Sequence, residues 1–271
     1  MTAPDPAPVT IARGDGPLVL GMPHSGKWLP GEIFERLNSV GRTLSDTDWH
    51  VDRLYDGLMP DVTIVHANFH RYAIDANRDP SGKSLYPGQN TTGLIPETDF
   101  DARNIWSTPP DDQDIADRLT AFHAPYHRAL RIELERVRDR HGIAILYDCH
   151  SIRSRIPNLF DARLPDFNIG TNDGQTCDRR IETAVTEICA GAGGYTTVLN
   201  GRFKGGWTTR HYGQPDTGIH AIQMELTQSS YLTEETDPWA YDDEKAEKLR
   251  HHLGRILQEL TRLAPQLTGV S

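Results

Sequence analysis

Three short apolar runs, each joined to polar residues suited to catalysis, constrain this chain more than any other feature. Pro17 to Met22 (PLVLGM) leads into Pro23-His24-Ser25-Gly26, Ile143 to Tyr147 (IAILY) leads into Asp148-Cys149-His150-Ser151, and Ile219 to Leu226 (IHAIQMEL) carries Glu225. Brief apolar runs bounded by turn signals read as buried strands. Helical patterns separate them. From Asp114 to about Arg140, Ile115, Leu119, Phe122, Tyr126, Leu130, Leu134 and Val137 recur at spacings of three and four and give one apolar face. Pro125 is expected to kink or split that helix, and Gly142 to end it. Further helices are expected over 31–38, from Asp46 or Thr47 as cap to about Met59, over 178–190 and over 240–264. Further strands are expected over 62–65, 72–75 and 196–199, with irregular, Gly-rich chain over 79–110 and 200–218. Strands alternating with helices predict a three-layer α/β/α sandwich on a mixed, mostly parallel sheet. Ligands of such sheets collect beyond the carboxyl ends of the strands, so His24, His150 and Glu225 are expected to meet in one crevice.

Two imidazoles, a carboxylate ligand and one free carboxylate describe a hydrolytic metal site, with zinc the expected ion. The free carboxylate would accept a proton from water and pass it to the leaving nitrogen. Residues alone leave the carboxylate ligand open. Asp46, Asp48 and Asp52 crowd DTDWHVD beside His50, and Asp148 lies two before His150, on its face of a strand. Asp46 also suits a helix N-cap, and Asp148 suits a group that orients a ligand. His123 and His127 in HAPYH are spaced i,i+4, but Pro125 lies between them and the Glu of HExxH is absent, so they read as ordinary helix histidines. Neither PHSG nor CHSIRS fits GxSxG, and NGRFKGG is neither a Walker A loop nor GxGxxG.

Basic residues gather in two places: Arg71 with Asn77-Arg78, and Arg202, Lys204, Arg210 and His211 in NGRFKGGWTTRHYG. Arginine forks suit carboxylates, and the glycines permit close backbone approach to a ligand. The expected partner is a small molecule with an acid group, and a dicarboxylate would use both clusters. A formal charge of −10 argues against nucleic acid or an anionic membrane. No apolar stretch approaches the roughly 18 residues of a membrane span. The first sixteen residues lack the pattern of a signal peptide. Three cysteines without a CxxC pair fit a reducing compartment, so a cytoplasmic protein is expected. The 271 residues show neither a repeat nor a dividing linker, and 1–271 reads as a single α/β hydrolytic domain with a loosely ordered segment over 1–15. Homo-oligomerisation is left open.

The chain resembles the N-formylglutamate amidohydrolase (deformylase) family of histidine degradation. The resembling segments are MPHSG (22–26), DTDWH (46–50), LYDCHSIRS (146–154), PNLFDARLPDFNIGT (157–171), NGRFKGGWTTRHYG (200–213) and AIQMELTQSSY (221–231). The resemblance implies a zinc-carboxypeptidase- and aspartoacylase-like fold and hydrolysis of N-formyl-L-glutamate to formate and L-glutamate. It implies that His24 and His150 are the two metal histidines and Glu225 the catalytic carboxylate. It also implies that Asn77-Arg78 binds the substrate α-carboxylate and that Arg71 polarises the carbonyl. One departure is Lys27, where the related HxxE motif has its carboxylate ligand. Asp48 is taken as the replacement. A deacylase or carboxypeptidase-like hydrolase of another N-acyl amino acid, or a non-catalytic binder, is the competing expectation.

Overall fold

Strand β4 (Ala144–Ile152) runs through the middle of the molecule with all nine residues buried. The computed structural model describes residues 5–85 and 91–268. Around β4 lie β1 (Val9–Ala12), β2 (Leu18–Met22), β3 (Thr63–Ala67), β5 (Phe167–Gly170), β6 (Thr197–Leu199) and β7 (Ile219–Thr227), in the order β1-β3-β2-β4-β7-β5-β6. The pairs β2–β3, β2–β4, β4–β7 and β5–β6 are parallel; β1–β3 and β5–β7 are antiparallel. The sheet is thus mixed and mostly parallel, as expected.

Alternation along each strand divides the core in two. Leu20, Met22, Ile145, Tyr147, Ile222 and Met224 pack with Ile181 and Val185 of α5 (Arg179–Ala190) and with Leu249, Leu253 and Leu257 of α7 (Asp243–Leu267). Val19, Val65, Leu146 and Ala221 pack on the other side with Tyr126, Leu130, Leu134 and Val137 of α4 (Ala124–His141). Two helical layers therefore enclose the sheet. The remaining helices are short: α1 (Gly31–Arg36), α2 (Val51–Tyr55), α3 (Asp112–Arg118) and α6 (Trp207–Tyr212). No helix among the described residues is long and apolar enough to cross a membrane.

Several expectations give way. Asp46 caps no helix: its buried carboxylate accepts from the Phe100 N–H, and α2 starts only at Val51, after His50 with a left-handed φ of 59°. The 45–50 segment stays irregular because Asp46 and Asp48 both turn inward to partners elsewhere. Residues 72–75 form no strand: 71–73 make a turn, with the Ala73 N–H on the His70 carbonyl, and 74–75 are irregular. The loose segment expected over 1–15 contains β1, which pairs with β3. The loop expected over 200–218 contains α6. Pro125 widens its helix rather than splitting it: the backbone stays helical from α3 through a π-type turn over Leu119–His123 into α4, and the Ala124 N–H reaches the Leu119 carbonyl five residues back.

Candidate active site

The same alternation selects the polar side chains that enter the crevice. Ile145, Tyr147 and Cys149 of β4 point toward α7, which leaves Asp148 and His150 on the opposite face. Ile222, Met224 and Leu226 of β7 leave Gln223 and Glu225 there too. The parallel register places Asp148 beside Gln223 and His150 beside Glu225. His24 follows β2, and its carbonyl accepts the Asp48 N–H at 3.1 Å, which brings the 45–50 turn into the site.

His24 Nδ1 lies 3.7 Å and His150 Nδ1 3.2 Å from Asp48 Oδ2. One ligand atom from each of the three residues lies within 4.8 Å of the others. Two tetrahedral ligands of zinc stand about 3.4 Å apart, given bonds near 2.1 Å, so these spacings match. His24 Nδ1 is buried without a hydrogen-bond partner among the described residues. His24 Nε2 is hydrogen-bonded to Asp75 Oδ1 at 2.7 Å and Asp48 Oδ1 to Arg71 Nη2 at 2.6 Å, while His150 Nε2 lies 3.2 Å from Asp148 Oδ1, an ion-pair contact without hydrogen-bond geometry, and 3.2 Å from Asn77 Nδ2. Asp148 in turn accepts from Thr209 Oγ1 at 2.8 Å. Histidine ligands backed by carboxylates are oriented and made more basic by them. The residues present therefore fit a divalent metal ion.

Burial, reinforced by the Arg71 cation, lowers the His24 pKa to about 4 and keeps the ring neutral, the form that ligates. Burial also pulls on His150, but the Asp148 and Asp48 carboxylates override it and raise its pKa well above the ordinary value. Burial opposes ionisation of Asp48, yet Arg71 and the two imidazoles hold its pKa below the ordinary value. Burial raises Glu225 to about 8, with His150 acting against it. Glu225 also accepts from Gln223 Nε2 at 3.0 Å.

A cleft of about 230 Å³ opens over this group, lined by His24, Arg71, Asn77, Arg78, His150, Gln223 and Glu225 together with Phe100, Arg202 and Phe203. Of the residues expected to act, the structure thus assembles His24, Asp48, His150, Glu225, Arg71, Asn77, Arg78 and Arg202. The other three loop residues are not among those that line the cleft. Lys204 pairs with Asp173 at 3.0 Å, Arg210 donates to the Gly205 carbonyl at 2.8 Å, and His211 stacks on Trp207. Arg71 lines the cleft but commits one amino group to Asp48. Asp52 is exposed on α2, and His50 Nε2 contacts the Trp239 carbonyl. His123 and His127 donate from Nε2 to the carbonyls of Arg78 and Ala76, at 3.0 and 2.7 Å, and so brace the Asn77-Arg78 segment.

Asp75 and Gln223 escape the sequence reading. Gln223 was within reach, because it lies two before Glu225 on a strand. Asp75 carries no such signal: it sits in an irregular turn 51 positions from the histidine it supports.

A sequence profile of the family described as N-formylglutamate amidohydrolase matches residues 16–232. The N-formylglutamate deformylase of Pseudomonas aeruginosa is 43% identical over 255 residues, 93% of this chain and 95% of that protein. The N-formylglutamate deformylase of Pseudomonas putida is 44% identical over the same shares. A crystal structure of N-formylglutamate amidohydrolase from Ralstonia eutropha JMP134 superposes with a TM-score of 0.80 at 26% identity, over 96% of this chain and 99% of that one.

Proposed function

This chain belongs to the N-formylglutamate amidohydrolase family, and from that premise we propose that it hydrolyses N-formyl-L-glutamate to formate and L-glutamate at the cleft above β2, β4 and β7. The observation that carries the reading is the meeting of His24, Asp48 and His150 with Glu225 under one small cleft. We assign the metal to the first three residues and take it to be zinc, which two imidazoles and one carboxylate suit. Bound there, such an ion supplies Lewis acidity toward water and toward the formyl carbonyl.

The remaining work falls to side chains. Glu225 accepts a proton from the attacking water as the new C–O bond forms at the formyl carbon. It delivers that proton to the glutamate nitrogen as the C–N bond breaks. Burial raises the Glu225 pKa, which favours a carboxyl group that can both take up a proton and give it back. Arg71 holds Asp48 ionised and fixed. Asn77 and Arg78 receive the α-carboxylate, and Arg202 receives the side-chain carboxylate. Lys204, Arg210 and His211 keep the Gly-rich loop in shape. Three free, buried cysteines (Cys149, Cys177 and Cys189) support a reducing, cytoplasmic setting.

The test is turnover by the purified protein. Formate and glutamate should appear from N-formyl-L-glutamate, with bound metal measured on the same sample. N-formyl-L-aspartate and N-acetyl-L-glutamate should be poorer substrates. Preference for either of those two, or no formate from metal-loaded protein, would reject the assignment.

A further inference from the structure

Gln223 is buried on β7 between two functional parts of the site. Its Oε1 accepts the Gly206 N–H at 2.6 Å, and its Nε2 donates to Glu225 Oε2 at 3.0 Å. A backbone N–H can only donate, so Gly206 fixes which end of the amide is oxygen and leaves the NH₂ facing the carboxylate. Gly206 is itself held from the far side. A Cβ at this position would lie 2.2 Å from Asn77 Nδ2, so only glycine lets the turn press against that amide. Asn77 Oδ1 accepts the Thr208 N–H at 2.9 Å, while its Nδ2 lies 3.2 Å from His150 Nε2. An unbroken set of contacts therefore runs from Asn77 through Gly206 and Gln223 to Glu225.

We propose that Gln223 is a positioning residue for the hydrolysis: clamped by the Gly206 N–H, its amide holds the Glu225 carboxylate in its working orientation and ties that carboxylate to the turn that seats Asn77. The proposal rests on the reading of Glu225 as the proton acceptor. Gln223 also borders the cleft beside Glu225, and the split between kcat and KM separates its hold on Glu225 from a direct contact with substrate. Its effect reaches the reaction through Glu225, whose side chain it restrains with a hydrogen bond to a group that must be charged to act, and such bonds are among the stronger ones.

The Gln223→Met variant keeps the side-chain length and removes both hydrogen bonds. In metal-loaded enzyme its kcat on N-formyl-L-glutamate is expected to fall about 10-fold or more, with KM within about twofold and bound metal unchanged, while the unsatisfied Gly206 N–H lowers the melting temperature by only a few degrees. Placed on Glu225→Gln, the same change is expected to lower kcat no further, because residues that act as a unit do not add. Should Gln223→Met fail to fold, Gln223→Glu replaces it: the new carboxylate still accepts from Gly206 but opposes Glu225, so kcat falls at constant KM. Wild-type kcat in the folded variant overturns the proposal. A loss as large on Glu225→Gln as on the wild type also overturns it, since Gln223 would then act elsewhere. Full turnover by Glu225→Gln alone removes the proton acceptor, and with it the reading on which the proposal depends.

Discussion

Single side chains here are defined by what lies behind them. His24 has one ring nitrogen on Asp75 and the other directed at Asp48, and Asp75 is itself fixed by accepting the Asn77 N–H at 2.8 Å. Replacing Asp75 by Asn keeps the shape but removes the charge that orients the imidazole and raises its basicity. Metal affinity is expected to fall by about 10–100-fold in a competition titration with a chelator. An unchanged affinity would mean that Asp75 does not tune His24. Arg202 invites a different measurement. If it receives the second carboxylate, Arg202→Ala should lose about 10-fold or more in kcat/KM on N-formyl-L-glutamate, roughly 1.4 kcal/mol. The loss on N-formyl-L-glutamine, which lacks that charge, should be much smaller. Equal losses on the two substrates would reduce Arg202 to a structural part of the loop.

Elements set these residues in place through register and caps. The pairing of β4 with β7 aligns Asp148 with Gln223 and His150 with Glu225, so a slip of one residue would turn all four into the opposite core. At the other end of the α4 side, α3 begins with a reciprocal cap: Asp111 accepts the Asp114 N–H, and Asp114 accepts the Asp111 N–H. Arg36 adds two bonds to Asp114, both at 2.8 Å. These bonds, Arg36 first, lower the Asp114 pKa from 3.8 to about 2. A depressed carboxyl pKa favours the folded state above the unfolded value, and that contribution disappears as pH falls through the folded one. Asp114→Ala is therefore expected to lose about 1 kcal/mol at neutral pH, with the gap to wild type closing between about pH 4 and pH 2. Urea unfolding across that range measures it, and a gap independent of pH would contradict the ionic part of the cap.

For the whole molecule, a metal held by His24, Asp48 and His150 would be linked to folding, because these three residues come from separate parts of the chain and converge only in the folded protein. Metal present at 100 times its dissociation constant would stabilise the folded state by about 2.7 kcal/mol. At about 2–4 °C per kcal/mol for a chain of this order, chelation should lower Tm by roughly 5–10 °C. Adding the ion back should restore both Tm and formate release. A chelator-insensitive Tm, with metal shown by elemental analysis to have left, would sever that link.

The layered α/β plan and the strand-end histidines can be read from local pattern, because apolar runs, helical spacing and the polar residues that follow them are local properties. His24, His150 and Glu225 were legible for that reason, and the matching segments drew attention to Asp48 despite Lys27 at the related ligand position. Local pattern also misled. Asp46 looks like a helix cap, yet its carboxylate is drawn to the Phe100 N–H; the basic residues of 202–211 look like one cluster, yet only Arg202 reaches the cleft lining among those described. Folding in three dimensions is what puts Asp75 behind His24, Asp148 beside His150, and Gln223 between Glu225 and Gly206. Each of these is a contact between distant segments or a choice among competing partners. Distances of a few ångströms settle such choices, and spacing along a chain does not encode them.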